Sequence, residues 1–89
     1  MKLDTFEAKR SLRLTDPQIA VLQALLDNKY VTCLEIEQMG SVSSSVTIYR
    51  MRAKLEDHGI VIHSMQRLGY WIDDEAREKL ARFSMAEEA

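Results

Sequence analysis

The spacing of apolar residues changes from helical to alternating at Gly59. Upstream, the apolar stripe of residues 43–57 recurs at positions i, i+3 and i+7, formed by Ile48, Met51 and Leu55. This spacing predicts an amphipathic helix over residues 43–57. Downstream, the pattern takes a period of two that is interrupted by a Gln-Arg-Leu-Gly turn. That alternation predicts a β-hairpin over residues 60–72.

An earlier helix is predicted over residues 17–27, and its start can be interpreted in two ways. Asp16 can be the N-cap, with Pro17 at the first helical position. Alternatively, Thr15 is the N-cap and Gln18 closes a capping box.

A second, shorter helix is predicted between Thr32 and Gly40. Thr32 can cap it with Glu35 as its capping-box partner, and Gly40 ends it. Its apolar residues are Leu34, Ile36 and Met39. Only the turn GSVSSS separates it from the helix at 43–57, and two helices joined in this way are typical of a helix-turn-helix.

The two ends of the chain give weaker patterns. Residues 11–14 alternate polar and apolar side chains, which predicts a short strand. Asp73 or Asp74 can cap a final helix over residues 75–83, and we expect residues 84–89 to fray. The 89 residues suit one domain, so residues 1–89 are predicted to form a single unit.

The outward face of the helix at 43–57 favours contact with phosphate. Its side chains are small, hydroxylated or basic: Val46, Thr47, Tyr49, Arg50, Ala53 and Lys54. Arg50, Arg52 and Lys54 come with no carboxylate before Glu56, whereas solvated helices mix both signs. Ser43 and its serine neighbours can cap the helix, where free N–H groups also suit a phosphate.

Charge is unevenly distributed although the chain as a whole carries −2. Residues 43–67 hold four basic and two acidic side chains, whereas residues 68–89 hold three basic and six acidic ones. A local patch, not the total charge, governs an electrostatic encounter. The predicted contact helix and hairpin therefore carry the positive charge.

Other features narrow the class of protein. No apolar run reaches the roughly 20 residues that cross a bilayer, and no signal peptide begins the chain, so we expect no membrane partner. One cysteine, Cys33, cannot form an internal disulfide and suits the cytoplasm. His58 and His63 have no cysteine or carboxylate cluster at metal-ligand spacing, so no metal site is predicted. No catalytic motif or nucleotide-binding loop occurs either, so no cofactor or catalytic residue is predicted and nothing indicates an enzyme.

Three segments together resemble a known family. They are RLTDPQIAVLQALLDN, SVTIYRMRAKLEDHG and IHSMQRLGYWI, and the match covers roughly residues 12–72. In this order they are similar to the winged helix-turn-helix effector domain of OmpR/PhoB-type response regulators. The resemblance implies an α+β fold with a three-helix core and a C-terminal β-hairpin wing, to which this chain adds a short C-terminal helix and a frayed tail within residues 73–89.

The resemblance also implies roles for individual residues. Thr47, Arg50 and Arg52 match positions that contact bases or phosphates, with Tyr49 between them. The family's wing arginine falls at Gln66 and its following glycine at Arg67, so Arg67 is the expected minor-groove contact. The turn between the helices is shorter than in the family, and we expect a regulator without a receiver domain.

We therefore predict a free-standing transcription regulator that binds double-stranded DNA. The helix at 43–57 would enter the major groove and the wing at 60–72 would reach the minor groove. A homodimer or tandem binding on paired sites is expected, because one winged helix offers only about 600–1,000 Å² of interface. The alternative is a winged-helix protein-interaction module that binds RNA polymerase or another regulator, which the acidic tail favours.

Overall fold

The first helix of the chain is α1 (Thr5–Leu12). It overlaps residues 11–14, for which a strand was predicted. The structure is a computed structural model and describes residues 2–40 and 42–84. The carboxylate of Asp4 accepts a hydrogen bond from the N–H of Glu7 at 3.2 Å and caps the helix. Its Ala8 and Leu12, one turn apart, are buried.

The predicted strand over residues 11–14 is wrong, and the reason is local. Leu12 is the last residue of α1, and Arg13 follows it in the left-handed conformation with φ 60°. The chain then turns so that Leu14 is buried as well. The alternation of leucine with polar residues therefore reflects a helix end and not an extended pleat.

Helix α2 (Asp16–Asp27) begins with the capping box, which decides between the two interpretations of its start. The Thr15 hydroxyl accepts from the N–H of Gln18, and the Gln18 side chain accepts from the N–H of Thr15 at 3.0 Å. Thr15 is therefore the N-cap, and Pro17 lies in the first turn.

The next elements are a short strand, a short helix and a long helix. Strand β1 (Val31–Thr32) leads into α3 (Cys33–Met39), where Thr32 accepts from the N–H of Glu35 as predicted. Leu34, predicted to be on the apolar side of α3, is instead 64% exposed, and only Ile36 of that helix is buried. Helix α4 (Ser44–Glu56) follows, and Gly59 ends this region with φ +69°.

The predicted hairpin is part of a three-stranded antiparallel sheet. Strands β2 (His63–Met65) and β3 (Gly69–Trp71) pair through Ser64 and Tyr70, and β3 also pairs with β1. The strand order is β1-β3-β2. Residues 60–62 keep the predicted alternation, with Val61 exposed between two buried isoleucines, but they lie outside the sheet.

Gly69 lies where β1 and β3 approach most closely. A Cβ atom at this position would lie 1.9 Å from the carbonyl oxygen of Val31 and 2.8 Å from the Cα of Thr32. Both are backbone atoms, so neither can move aside alone. The close pairing of these strands therefore requires a residue with no side chain.

The final helix, α5 (Asp74–Leu80), is continued by a 3₁₀ turn (Ala81–Phe83), as predicted for residues 75–83. Asp73 is its N-cap. The pKa of this carboxyl is lowered mainly by the hydrogen bond from the N–H of Ala76 and next by the hydrogen bond with the His63 ring. The His63 Nε2 lies 3.1 Å from an Asp73 oxygen, while the ring stacks on Trp71. The cap thereby connects α5 to the hairpin.

A single apolar cluster joins these elements. Leu3 before α1, residues from all five helices and Phe83 of the 3₁₀ turn contribute to it. Leu3 also bridges to Ser84, and the N–H of Asp4 donates to the carbonyl of Phe83 at 2.7 Å. Ser84 is thus held in place, contrary to the fraying expected for it, and residues 85–89 lie outside the described residues.

The described residues therefore form a small α+β domain of five helices and a three-stranded antiparallel sheet. None of the helices in residues 2–40 and 42–84 is long and apolar enough to cross a bilayer.

Candidate nucleic-acid interface

One face of α4 is open to solvent and carries no carboxylate before Glu56 at the end of the helix. Val46, Tyr49, Arg50 and Ala53 recur at i, i+3, i+4 and i+7, and all four are exposed, Tyr49 by 75%. This confirms the outward placement predicted for Val46, Arg50 and Ala53. The face, called the outward face of α4 from here on, presents one guanidinium, one phenol and two aliphatic side chains.

Thr47 does not belong to this outward face, and its predicted placement there is wrong. Its side chain is only 5% exposed, and it faces the start of α2, where it lines a small cavity with Pro17 and Gln18. Packing against neighbouring helices buries a wider arc of α4 than the stripe of Ile48, Met51 and Leu55 alone suggested. A buried hydroxyl cannot reach a base edge in a groove, so Thr47 is removed from the candidate contacts.

The N-terminus of α4 is capped by protein groups. The Ser43 hydroxyl accepts from the N–H of Val46 at 3.4 Å, as predicted for a serine cap. A carboxylate oxygen of Glu37, on α3, accepts from the N–H of Ser44 at 3.3 Å. An amide expected to suit a phosphate therefore already meets an anion, which leaves less positive potential at this helix end. Ser41, also considered as a cap, lies outside the described residues.

Arg52 connects α4 to the hairpin. Its Nε and Nη2 donate to the carbonyl oxygen of Ile62 at 3.1 and 2.7 Å, and Nη2 also donates to the Ser64 hydroxyl at 2.9 Å. The guanidinium carbon lies 5.7 Å from the centroid of the Tyr70 ring. Arg52 was predicted to contact DNA, but its geometry fits a residue that fixes the angle between α4 and the hairpin.

The Arg52→Met variant should loosen the hairpin while the helices remain folded. It keeps the apolar stem and removes the donors, so we expect a loss of about 1 kcal/mol in the free energy of unfolding. Amide hydrogen exchange should become faster over β2 and β3 than over α2. Ser64→Ala, which removes only one of the acceptors, should have a smaller effect. Unchanged protection of the hairpin amides in Arg52→Met would contradict this role.

Lys54 is held on the side of α4 that faces α2. Its Nζ donates to the Gln18 side-chain oxygen at 3.0 Å, and the residue is half-buried. The same oxygen accepts the N–H of Thr15 in the capping box, so Lys54 joins α4 to the start of α2. Part of the hydrogen-bonding capacity of its ammonium group is therefore used within the fold. Arg50 differs, because no hydrogen bond or ion pair is found for it in the described residues.

Gln66 and Arg67 are exposed at the tip of the hairpin, as predicted for a wing. Arg67 has φ 65°, the left-handed region that glycine occupies most readily. The resemblance aligns a glycine with position 67. The hairpin keeps the backbone conformation and places a guanidinium at its tip.

Sequence reasoning missed Arg13. It is exposed directly after α1 and lines a cavity of about 310 Å³ with Ala53, Lys54 and Asp57 of the α4 region. It thus adds a cation beside the C-terminal half of α4. Arg13 was missed because residues 11–14 were interpreted as a strand. That interpretation gave no reason to place Arg13 near α4.

The remaining chemistry of the described residues is sparse. They contain no group of three or more histidine, cysteine or carboxylate side chains that could hold a metal ion. Comparison with protein-family models, with curated proteins and with solved structures found no match for this chain. The outward face of α4 and the hairpin tip therefore have to be interpreted from their own residues.

Proposed function

We propose that this protein is a winged helix-turn-helix regulator of transcription that binds double-stranded DNA. In this proposal α4 enters the major groove and the β2–β3 hairpin is the wing at the neighbouring minor groove. The order of elements from α2 to β3, with a short strand before α3 and a hairpin after α4, supports it. The resemblance to OmpR/PhoB-type effector domains agrees with this order.

The observation that carries the proposal is the outward face of α4. It exposes Arg50 with no carboxylate beside it, on a 13-residue helix that can present about 20 Å of length to a groove. Arg52 joins the hairpin to this helix, and Arg67 is exposed at the hairpin tip, from which the proposal has it reach the minor groove. Arg13 adds a further cation near Ala53.

Selection of bound duplexes from a random pool tests this function. We expect an enriched motif, with non-specific retention at low salt that is lost at high salt. Two copies of the motif about one helical turn apart would indicate a homodimer or tandem binding. No enrichment, together with no retention at low salt, would reject DNA binding.

Arg67→Gly should change stability and DNA binding in opposite directions. Glycine relieves the left-handed strain, so we expect the free energy of unfolding to rise by about 0.5–1 kcal/mol. Loss of one phosphate contact should reduce the slope of log affinity against log salt by about 0.9. Gln66→Gly, next to it and without a left-handed φ, should lower stability and leave the slope unchanged. An unchanged slope in Arg67→Gly would remove Arg67 from the interface.

A second function, a protein-interaction module that binds RNA polymerase or another regulator, is favoured by a different observation. Leu34 and Leu68 are 64% and 52% exposed, and the N–H of Cys33 donates to the carbonyl of Leu68, so the two leucines lie near each other. Contiguous exposed apolar surface is a mark of protein interfaces, whereas single exposed leucines are common. A protein partner recovered with the wild-type chain but not with Leu34→Asp would support this function.

A further inference from the structure

The outward face of α4 is poor in hydrogen-bonding groups for a helix that enters a groove. Among the side chains on it, Arg50 and Tyr49 are polar, whereas Val46 and Ala53 offer only methyl groups. Val46 is 38% exposed, and Ala53 is exposed as well. Such side chains cannot read a donor or acceptor on a base edge.

The major groove offers these side chains one suitable target. Each base pair presents donors and acceptors there, and thymine adds a 5-methyl group that aliphatic side chains contact favourably. Cytosine and uracil lack this methyl group. Arginine, in contrast, binds the O6 and N7 acceptors of guanine with two hydrogen bonds.

The spacing along the helix fixes where these contacts fall. Val46 and Ala53 are seven residues apart, which is about 10 Å along an α-helix. Base pairs rise by about 3.4 Å, so the two side chains span about three of them. Arg50 lies between Val46 and Ala53 along the axis and on the same face.

We infer that α4 reads the 5-methyl groups of two thymines about three base pairs apart, through Val46 and Ala53, with a guanine read by Arg50 between them. This inference rests on the proposed DNA-binding function and specifies the kind of site that the function requires. Tyr49 lies at the edge of the face, so its phenol is available for the phosphate backbone.

Replacement of thymine by deoxyuridine tests the inference, because it removes the methyl group and leaves base pairing intact. The probes are the duplexes enriched by selection, in which each thymine of the motif is replaced in turn. At the two predicted positions we expect binding to weaken about fourfold, the change that one buried methyl group produces. Replacement at other thymines should have no effect.

Two valine variants assign the reader. Val46→Ala removes methyl groups from an exposed helical position, and alanine favours helix, so the variant should fold. Its preference for thymine over uracil should shrink at one of the two positions, because the alanine methyl lies closer to the helix axis than the valine methyls it replaces. Val61→Ala makes the same change at an exposed valine outside α4 and should keep the full preference for thymine.

The possible failures can be told apart. If no duplex is enriched or retained, the proposed function fails. If selected duplexes bind but thymine and uracil are equivalent at every position, the function stands and the methyl-reading inference is overturned. If Val46→Ala keeps the full preference at every position, Val46 is not the reader and the inference is overturned for that residue.

Discussion

Gly69→Ala is expected to lose about 3 kcal/mol of the free energy of unfolding, the upper end of what overpacking a core typically costs. The added methyl carbon would lie 1.9 Å from the Val31 carbonyl oxygen, so β1 and β3 would have to separate. The free energy of unfolding of a native domain is only about 5–15 kcal/mol, so this loss is a large fraction of it. Urea denaturation followed by circular dichroism measures the loss.

Gly40→Ala is the matched control for this variant. The same methyl group at Gly40 would meet only the Cβ of Pro17 at 3.6 Å, which is ordinary van der Waals contact. Gly40 has φ −142°, which any residue adopts. We expect Gly40→Ala to stay within about 0.5 kcal/mol of the wild type. Equal losses in the two variants would show that the β1–β3 contact is not what makes Gly69 necessary.

Arg50→Ala is expected to lose about 1–3 kcal/mol of binding free energy on a selected duplex, a weakening of 5- to 150-fold. Preference should relax at one base position while the other positions of the motif remain selective. The free energy of unfolding should be unchanged within about 0.5 kcal/mol, because the side chain is exposed. Fluorescence anisotropy on duplexes mutated one position at a time measures both quantities.

Arg82→Ala separates base reading from a general loss of charge. It removes one guanidinium, as Arg50→Ala does, but from the 3₁₀ turn, where Arg82 lies 5.9 Å from the centroid of the Phe83 ring. Affinity for the selected duplex should change little. If Arg50→Ala binds as well as the wild type, α4 is not the recognition helix, and the proposed orientation on DNA is wrong.

Helix starts could be predicted from the sequence because their signals are local. Thr15, Thr32, Ser43 and Asp73 each accept a hydrogen bond from an N–H three residues later, so residue type and spacing were sufficient. The same kind of signal at Asp4 was overlooked. The alternation of Leu12 and Leu14 favoured a strand, although a left-handed Arg13 separates the two residues.

The site could be predicted only where the helical period decides exposure. Arg50 lies opposite the apolar stripe of α4 and is exposed. Thr47 lies at the edge of that stripe, where exposure depends on which elements pack alongside, and it is buried. The roles of Arg52 and Lys54 depend on acceptors that lie far away in sequence, Ile62 and Gln18, which no local pattern can pair with them.

The last helix belongs to the same packed unit, although it lies beyond the segment that resembles OmpR/PhoB-type domains. Arg77 donates to the carbonyl oxygens of Leu25, Leu26 and Asn28 at the end of α2, and Lys79 donates to that of Gly59 just after α4. A fragment cut at residue 72 would strip these acceptors of their donors and uncover the apolar surface beneath α5. A minimal fragment for expression or crystallisation therefore has to run through Ser84, because Ser84 pairs with Leu3 near the start of the chain.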